Sequence, residues 1–256
     1  MKKRPSALFF FLLFLYASPS FSQRITLKPL FGYYLPKLNA VNDDIAKELP
    51  FWREFLETDL PDPGKIGGHA VYGGQLQVHF RESYFINVHV SFYRDAAETQ
   101  FSDALNPSAG QFHYSRKVEF YDAILSLQYF FDYDSDNLFN TYLRIGAGVL
   151  STNAKTETKS TFTASMVSNT FLPQVDTQGD FSGSTLTGII SAGMELRFTP
   201  SLTIWGEAGL QSANVGQLNG SLQRANSTAV PDYTTNTTFD FSGLFVRLGG
   251  GVGLPF

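Results

Sequence analysis

The chain has no cysteine among its 256 residues, which excludes a disulfide framework and a lipoprotein anchor. Beyond the first two dozen residues it also has no apolar run as long as a transmembrane helix requires. Metal-ligand clusters, a GxSxG elbow and a phosphate-binding glycine loop are missing as well. From these absences we predict no metal site, no cofactor and no enzymatic activity.

Positive charge is also scarce, and three of the 19 basic residues lie within the first four positions. Without residues 1–22, the chain would keep 16 basic and 23 acidic residues, a net charge of −7. A nucleic-acid-binding protein is expected to carry a basic patch or stripe. Nucleic acid is therefore not predicted as a partner.

The N-terminal residues have the pattern of an export signal. Lysine and arginine precede an apolar run at residues 7–17, which is too short to span a bilayer comfortably. The small residues Ser20 and Ser22 then stand before Gln23, as at a cleavage site. We expect residues 1–22 to be a cleaved signal peptide; the alternative is an uncleaved anchor helix, which the short run disfavours.

Eight runs of alternating apolar and polar residues follow, which predict β-strands. The connections between them alternate strictly between long segments and turns of a few residues. This alternation of connection lengths is typical of an antiparallel up-and-down barrel that has long loops at one rim and short turns at the other. The eight runs comprise residues 24–34, 68–80, 84–95, 112–131, 138–151, 184–198, 201–215 and 240–253.

Each run has one apolar and one polar side, because successive strand side chains point to opposite faces. In residues 185–198, for example, Leu186 and Ile190 share a face, whereas Glu195 and Arg197 share the other. Alternation alone does not tell which face points inward. A soluble, lipocalin-like barrel would have the same pattern with the apolar face inside, and that alternative stays open at this point.

Aromatic residues near both ends of the strands favour a membrane barrel, where they form girdles at the two interfaces. The set near the short turns comprises Phe80, Tyr84, Phe85, Tyr129, Phe130, Phe131, Tyr133, Phe139 and Phe198. The set near the long loops comprises Phe92, Tyr93, Phe112, Tyr114, Phe181, Phe239 and Phe241.

The sequence ends on the segment FVRLGGGVGLPF, in which Val252, Leu254 and Phe256 share the apolar face. This pattern resembles the signal that the outer-membrane barrel assembly machinery reads. Pro255 departs from it, since proline cannot donate a hydrogen bond to a strand ladder. The whole of residues 23–256 is similar to the small eight-stranded outer-membrane barrels of the OmpA, OmpX and OmpW type.

That resemblance implies an all-β, eight-stranded antiparallel transmembrane barrel in the bacterial outer membrane, without a further periplasmic domain. It also implies four long extracellular loops, both termini in the periplasm, and contacts with outer-membrane lipids and lipopolysaccharide. It leaves the extracellular ligand unknown.

The polar faces would then meet inside the barrel, where eight strands enclose only enough space for side chains. Four cations and three anions on these faces predict a charge network that closes the lumen. The alternative is a narrow channel for small or hydrophobic solutes, lined by the same residues. The predicted network comprises Lys28, Asp122, Arg144, Glu195, Arg197, Glu207 and Arg247.

The first long connection contains an apolar stripe at helical spacing: Ile45, Leu49, Trp52 and Leu56. Asn42 or Asp43 is expected to cap this helix, and Pro50 is expected to break or kink it. A lid, a partner-binding patch and a helix at the membrane surface are all open roles, beside a loop that packs on itself. The third and fourth long connections, rich in Ser, Thr, Asn and Gln, are expected to be mobile polar loops.

A second alternative is a lipid A-modifying enzyme, which would need a serine, a histidine and a carboxylate near the outer leaflet. His113 and Ser115 stand two residues apart on one strand face, with Asp95 and Asp103 in the preceding strand end and loop. Since a serine and a histidine coincide easily, the leading hypothesis stays a non-catalytic structural or surface-binding barrel.

Overall fold

The structure is a computed structural model that describes residues 25–56, 59–102, 110–131, 133, 138–162, 176–199, 201–224 and 230–254. The predicted signal peptide, Asp103 and Phe256 lie outside these residues. No helix within the described ranges combines the length and the apolar character that crossing a membrane would demand.

The described residues form ten strands and one long helix. Helix α1 (Asn39–Leu56) follows the first strand directly. The strands are β1 (Ile25–Pro36), β2 (His69–Arg81), β3 (Tyr84–Ser102), β4 (Gly110–Phe131), β5 (Phe139–Phe162), β6 (Thr177–Thr199), β7 (Leu202–Ser212), β8 (Asn214–Arg224), β9 (Val230–Asp240) and β10 (Gly243–Leu254).

Eight of these strands close into an antiparallel ring in the order β1-β2-β3-β4-β5-β6-β7-β10. The pairing of β1 with β10 places Phe31 opposite Leu248, and the pairing of β10 with β7 places Arg247 opposite Glu207. The ring has no free edge, because β5 also pairs with β6 along most of its length. The predicted eight-stranded up-and-down barrel is thus confirmed.

The apolar residues face outward and the charged residues face inward, which excludes the lipocalin-like alternative. Leu186 is 82% exposed and Ile204 is 50% exposed, whereas Glu195 and Arg247 are each 1% exposed. An outer surface of leucine, isoleucine and valine has the character of the lipid-facing band of a membrane barrel.

Strands β3 to β6 are 19 to 24 residues long, about twice the 9 to 11 residues that cross a bilayer. The other four ring strands have 11 to 13 residues. The long strands therefore continue past the apolar band on the side of the long connections, where α1, β8 and β9 complete the wall. We call this outer part the head; it comprises α1, β8, β9 and residues 96–102, 110–118, 154–162 and 177–183.

The fourth long connection is not the mobile polar loop that its composition suggested. Strand β8 pairs with the outer end of β6, and β9 pairs with β8, so that a hairpin extends the barrel wall. Leu218 of β8 and Phe239 of β9 are buried on the inner face of this hairpin. Their burial explains why a segment so rich in Thr, Asn and Gln is ordered as strands: the polar side chains alternate with a few apolar ones that pack inward.

Helix α1 continues through Pro50, so the expected break is wrong. The helix packs on the head on both sides of the proline: Val41 and Ile45 are buried, and Leu49 and Trp52 pack against the same core. These contacts stabilise the helix on both sides of Pro50. Asn42 does not act as the expected cap; its side chain bonds both the N–H and the carbonyl of Ile66 in the following loop.

The aromatic residues divide differently from the expected two girdles. Near the short turns, Phe80, Phe139 and Phe198 face outward as expected, and each is 45–55% exposed. Near the long connections, however, Phe92 alone of the expected set points partly outward, and the other six are buried inside. Beside Phe92, the outer face on that side carries Phe31, Tyr33, Tyr72 and Tyr121.

Candidate functional site

The lumen holds a first ion cluster near the short turns. Glu195 of β6 forms salt bridges with Lys28 of β1 and with Arg197, whose Nε lies 3.0 Å from Glu195 Oε1. The Arg197 guanidinium also donates to the hydroxyl of Tyr133 at 3.0 Å. Lys28 lies near the ring of Trp205, at 5.9 Å from its centroid. One carboxylate thus joins cations from two strands that are not neighbours in the ring.

A second cluster lies at mid-lumen around Glu207. Arg144 Nη1 is 3.2 Å from one Glu207 oxygen, and Arg247 Nη1 is 3.7 Å from the other. Arg144 also donates to Gln75 at 2.6 Å and to Nδ1 of His89 at 2.9 Å. Nε2 of the same imidazole lies 3.3 Å from Arg247 Nη1, so His89 stands between the two guanidinium groups.

Asp122, the third predicted anion, lies in a polar layer above these clusters. Its Oδ1 accepts from the N–H and the hydroxyl of Ser91, at 3.0 and 2.6 Å, and its Oδ2 accepts from Gln211 at 3.0 Å. The nearest ionisable partner is His89, whose Nε2 is 3.7 Å away. Neutral donors, which composition could not single out, thus satisfy this carboxylate.

An aromatic layer covers Asp122 on the side of the head. Tyr93 and Phe120 stack with their centroids 5.0 Å apart, and Tyr34 meets both rings edge-on. Phe241 completes the layer, 5.3 Å from Phe120, and its carbonyl accepts from the Tyr34 hydroxyl. All four side chains are at most 1% exposed. Two ion clusters, a polar layer and an aromatic layer therefore follow one another along the barrel axis.

Outside the aromatic layer, the head contains a cavity of about 490 Å³ between α1, the long strands and the β8–β9 hairpin. This volume lies in the range of small-molecule sites. Its apolar lining includes Phe51 and Trp52 from α1, Phe181 from β6, and Tyr233 and Phe239 from β9. Because the wall comes from α1, β4, β5, β6 and the β8–β9 hairpin, no single sequence run predicted it.

Polar contacts fix α1 against this cavity. Glu48 pairs with Arg116 and accepts from the Tyr114 hydroxyl at 2.8 Å. One turn earlier, Asp44 accepts from the hydroxyl of Thr237 on β9. The helix is thus joined to both β4 and β9, and burial raises the pKa of the Tyr114 hydroxyl above its ordinary value. The helix therefore packs on the head through both apolar and polar contacts.

The residues considered for lipid A chemistry have other partners in the structure. Ser115 donates to Glu98 at 3.1 Å, and Glu98 also pairs with Lys117 at 3.1 Å, which lowers the pKa of its carboxyl. Asp95 accepts from the backbone N–H groups of Gly67 and Ala96. The serine and this aspartate are therefore directed at separate partners.

Within the part of the chain that the structure describes, no cluster of three His, Asp or Glu side chains is arranged to hold a metal ion. Sequence reasoning missed several lumen residues, chiefly Tyr142, which donates to Glu207 at 3.4 Å, and the capping aromatic layer. The inward phase of the alternation would have indicated Tyr142, since it lies two residues before Arg144.

No model of a known protein family matches the sequence, and no curated protein matches it. Solved structures do resemble the fold. A major outer-membrane protein from Thermus thermophilus superimposes with a TM-score of 0.52 at 9% identity, over 91% of this chain and 100% of that one. The outer-membrane protein OprG from Pseudomonas aeruginosa gives a TM-score of 0.47 at 10% identity, over 92% of this chain and 97% of that one. Neisserial surface protein A gives 0.38 at 12% identity, over 92% and 98%.

The closed ring, the outward apolar band and the Thermus likeness together define the class: the chain has the fold of a small outer-membrane β-barrel. At such low identity the likeness concerns the fold only.

Proposed function

We propose that this protein is an integral outer-membrane barrel with a closed lumen and a surface-binding head. One observation carries this proposal: the two ion clusters, the polar layer and the aromatic layer follow one another along the barrel axis and fill the lumen. An eight-stranded ring leaves a space that side chains can fill. Here the long side chains of Arg144, Arg247 and Glu207 cross it, all within 4% exposure.

Charge compensation supports a structural role for the lumen residues. A buried carboxylate or guanidinium without a partner is costly, and replacing one member of such a pair typically costs about 3–5 kcal/mol. Glu195 and Glu207 each have two cationic neighbours. A conducting path would instead require these groups to be hydrated and free to exchange partners with ions.

Recording of the refolded full chain in planar lipid bilayers tests the closed lumen. We expect no discrete conductance steps from the natural chain. The double variant Glu207→Ala with Arg247→Ala, which removes two crossing side chains, should show small steps. Leu248→Ala is the matched control, since Leu248 lies on the outer face of the same strand and is 55% exposed. Salt-dependent steps in the natural chain that disappear with either single substitution would refute closure and favour the channel.

The membrane environment belongs to the same proposal. We assign the apolar band to outer-membrane lipids and the head to the cell surface, beside lipopolysaccharide, with the chain exported by a signal peptide at residues 1–22. Heat-dependent migration on a denaturing gel and recovery in the outer-membrane fraction are the expected results. Recovery in the aqueous fraction without detergent would contradict it.

The final strand is proposed to carry the signal for barrel assembly. Val252 and Leu254 lie on the outer face of β10 and are 52% and 42% exposed. The assembly machinery could therefore contact both side chains before the barrel closes. Deletion of Phe256 should slow assembly of the barrel in cells, measured by the fraction of heat-modifiable protein. Deletion of residues in the 225–229 connection should leave that fraction unchanged.

A further inference from the structure

We infer that the cavity of the head binds a small amphipathic anion, a carboxylate attached to an aromatic or short aliphatic body. This inference rests on the proposed surface-binding function and specifies its ligand class. The volume of about 490 Å³ admits such a molecule and excludes a folded protein partner.

The apolar part of the wall provides the site for the body of the ligand. Trp52 and Phe51 approach each other edge-on at 5.0 Å, and Trp52 also meets Phe112 at 5.1 Å. Across the cavity, Phe181 lies 6.0 Å from Tyr233. Aromatic walls of this kind favour a flat or slender apolar body, which leaves water when it enters.

The charged part of the wall determines the sign of the ligand. Five cationic and two anionic side chains line the cavity, although the whole chain has a net charge of −4. Two of the cations have carboxylate partners outside the cavity: Lys117 with Glu98, and Lys155 with Asp180. With these two carboxylates counted, five cations stand against four anions, which leaves a small local excess of positive charge. A cationic or neutral ligand would gain nothing from it.

Arg116 is the residue that we assign to the carboxylate. It lines the cavity, its side chain is 15% exposed, and one of its terminal nitrogens pairs with Glu48. A guanidinium has five N–H donors, of which one carboxylate cannot use all. A ligand carboxylate in the cavity could therefore accept from the exposed part of the same guanidinium.

The chain offers a natural reporter, because it has two tryptophans and only one of them lines the cavity. Trp52 lies at the site, whereas Trp205 is buried in the lumen. With Trp205→Phe, all tryptophan fluorescence reports on the cavity; with Trp52→Phe, none does. Both variants should keep the heat-dependent gel migration of the natural chain. If Trp205→Phe does not fold, the difference between the natural chain and Trp52→Phe gives the same signal.

The experiment titrates full-length protein in lipid nanodiscs with 3-phenylpropionate and, separately, with 3-phenylpropylamine, which has the same body and the opposite charge. We expect a saturable change of Trp52 emission with the carboxylate and none with the amine. Added salt should weaken binding, because the rim charges are exposed.

Substitutions locate the site. Arg116→Gln should weaken binding of 3-phenylpropionate by about tenfold or more, as expected for a lost charge-assisted hydrogen bond. Lys47→Gln, at the exposed rim, should weaken it by about twofold to fivefold. Lys65→Gln removes an exposed cation of the first long connection that does not line the cavity, and should change nothing.

An equal response to the amine, a response that persists in Trp52→Phe, or the absence of a saturable response would overturn the inference. Such a result would not affect the closed lumen, which the bilayer recordings test independently. Conversely, conductance through the natural chain would refute the closed lumen even if Trp52 responds to the carboxylate.

Discussion

The ammonium of Lys28 on β1 contacts the carboxylate of Glu195 on β6, and the two strands are separated in the ring by β10 and β7. Arg197, two residues along from Glu195, pairs with the same carboxylate. Because Glu195 is shared, the three residues should contribute unequally to stability. Loss of Glu195 leaves two buried cations without their anion, whereas loss of Lys28 leaves Glu195 paired with Arg197.

We therefore predict that Glu195→Gln destabilises the barrel more than Lys28→Met does. The expected loss of unfolding free energy is about 3–5 kcal/mol for Glu195→Gln, the usual cost of breaking a buried pair from one side. Lys28→Met should cost roughly half as much. The unfolding free energies of both variants are measured by urea titration in lipid vesicles, with heat-dependent gel migration as the readout of the folded fraction.

The control for this comparison is Asp180→Asn in the head. Asp180 pairs with Lys155 at 3.6 Å, and both side chains are 60% exposed. An exposed pair contributes about 0–1 kcal/mol, so this variant should unfold at nearly the natural urea concentration. A larger effect of Lys28→Met than of Glu195→Gln would show that Glu195 is not the centre of the cluster.

The lipid-facing band leads to a second prediction. Ile145 is 62% exposed and lies in the outward apolar band of β5, between Phe139 and Ser151, where an arginine would face the acyl chains. We expect Ile145→Arg to cost about 2–4 kcal/mol, the range for arginine near the bilayer midplane. Val230→Arg is the matched control, because Val230 is 49% exposed but lies on β9 in the head. Equal costs at the two positions would mean that lipid does not surround β5 there.

The lumen was largely predictable from the sequence because strand alternation fixes which residues share a face. Lys28, Glu207 and Arg247 were all placed inward by this argument, and the structure buries each of them. The pairings were not predictable. Contact between Lys28 and Glu195 depends on the closure of the ring and on the tilt of its strands, and neither can be read from one run.

The head was harder to predict, since its strands carry few apolar residues. In β8 and β9 the inward positions include Leu218, Thr235 and Phe239 among many polar residues. Only intermittent apolar side chains mark the period of two, so composition alone indicated a loop. The cavity could not be predicted at all, because its wall forms only when α1, the long strands and the β8–β9 hairpin come together.

Adjacent glycines in β10 provide a third prediction. A Cβ on Gly249 would come within 2.0 Å of the Pro29 carbonyl oxygen and 3.0 Å of Trp205 Nε1, whereas on Gly250 it would approach only Thr203 O, at 3.8 Å. We expect Gly249→Ala to cost about 1–3 kcal/mol through overpacking. Gly250→Ala should be nearly neutral. Unfolding in urea distinguishes them, and equal stability of the two variants would contradict the close approach of β1 and β10.

The last prediction concerns the position of α1 over the cavity. Because the chain has no cysteine, introduced thiols are unique labels. Asp44 accepts a hydrogen bond from Thr237, so the pair Asp44→Cys with Thr237→Cys should react readily with a short thiol-specific crosslinker. Glu54→Cys with Thr237→Cys should not, since ten residues of helix place Glu54 about 15 Å further along the axis. After cleavage of the chain between residues 44 and 237, a crosslink keeps the two fragments together on a denaturing gel, whereas fragments without a crosslink separate. Equal yields from both pairs would show that the helix does not hold one position on β9.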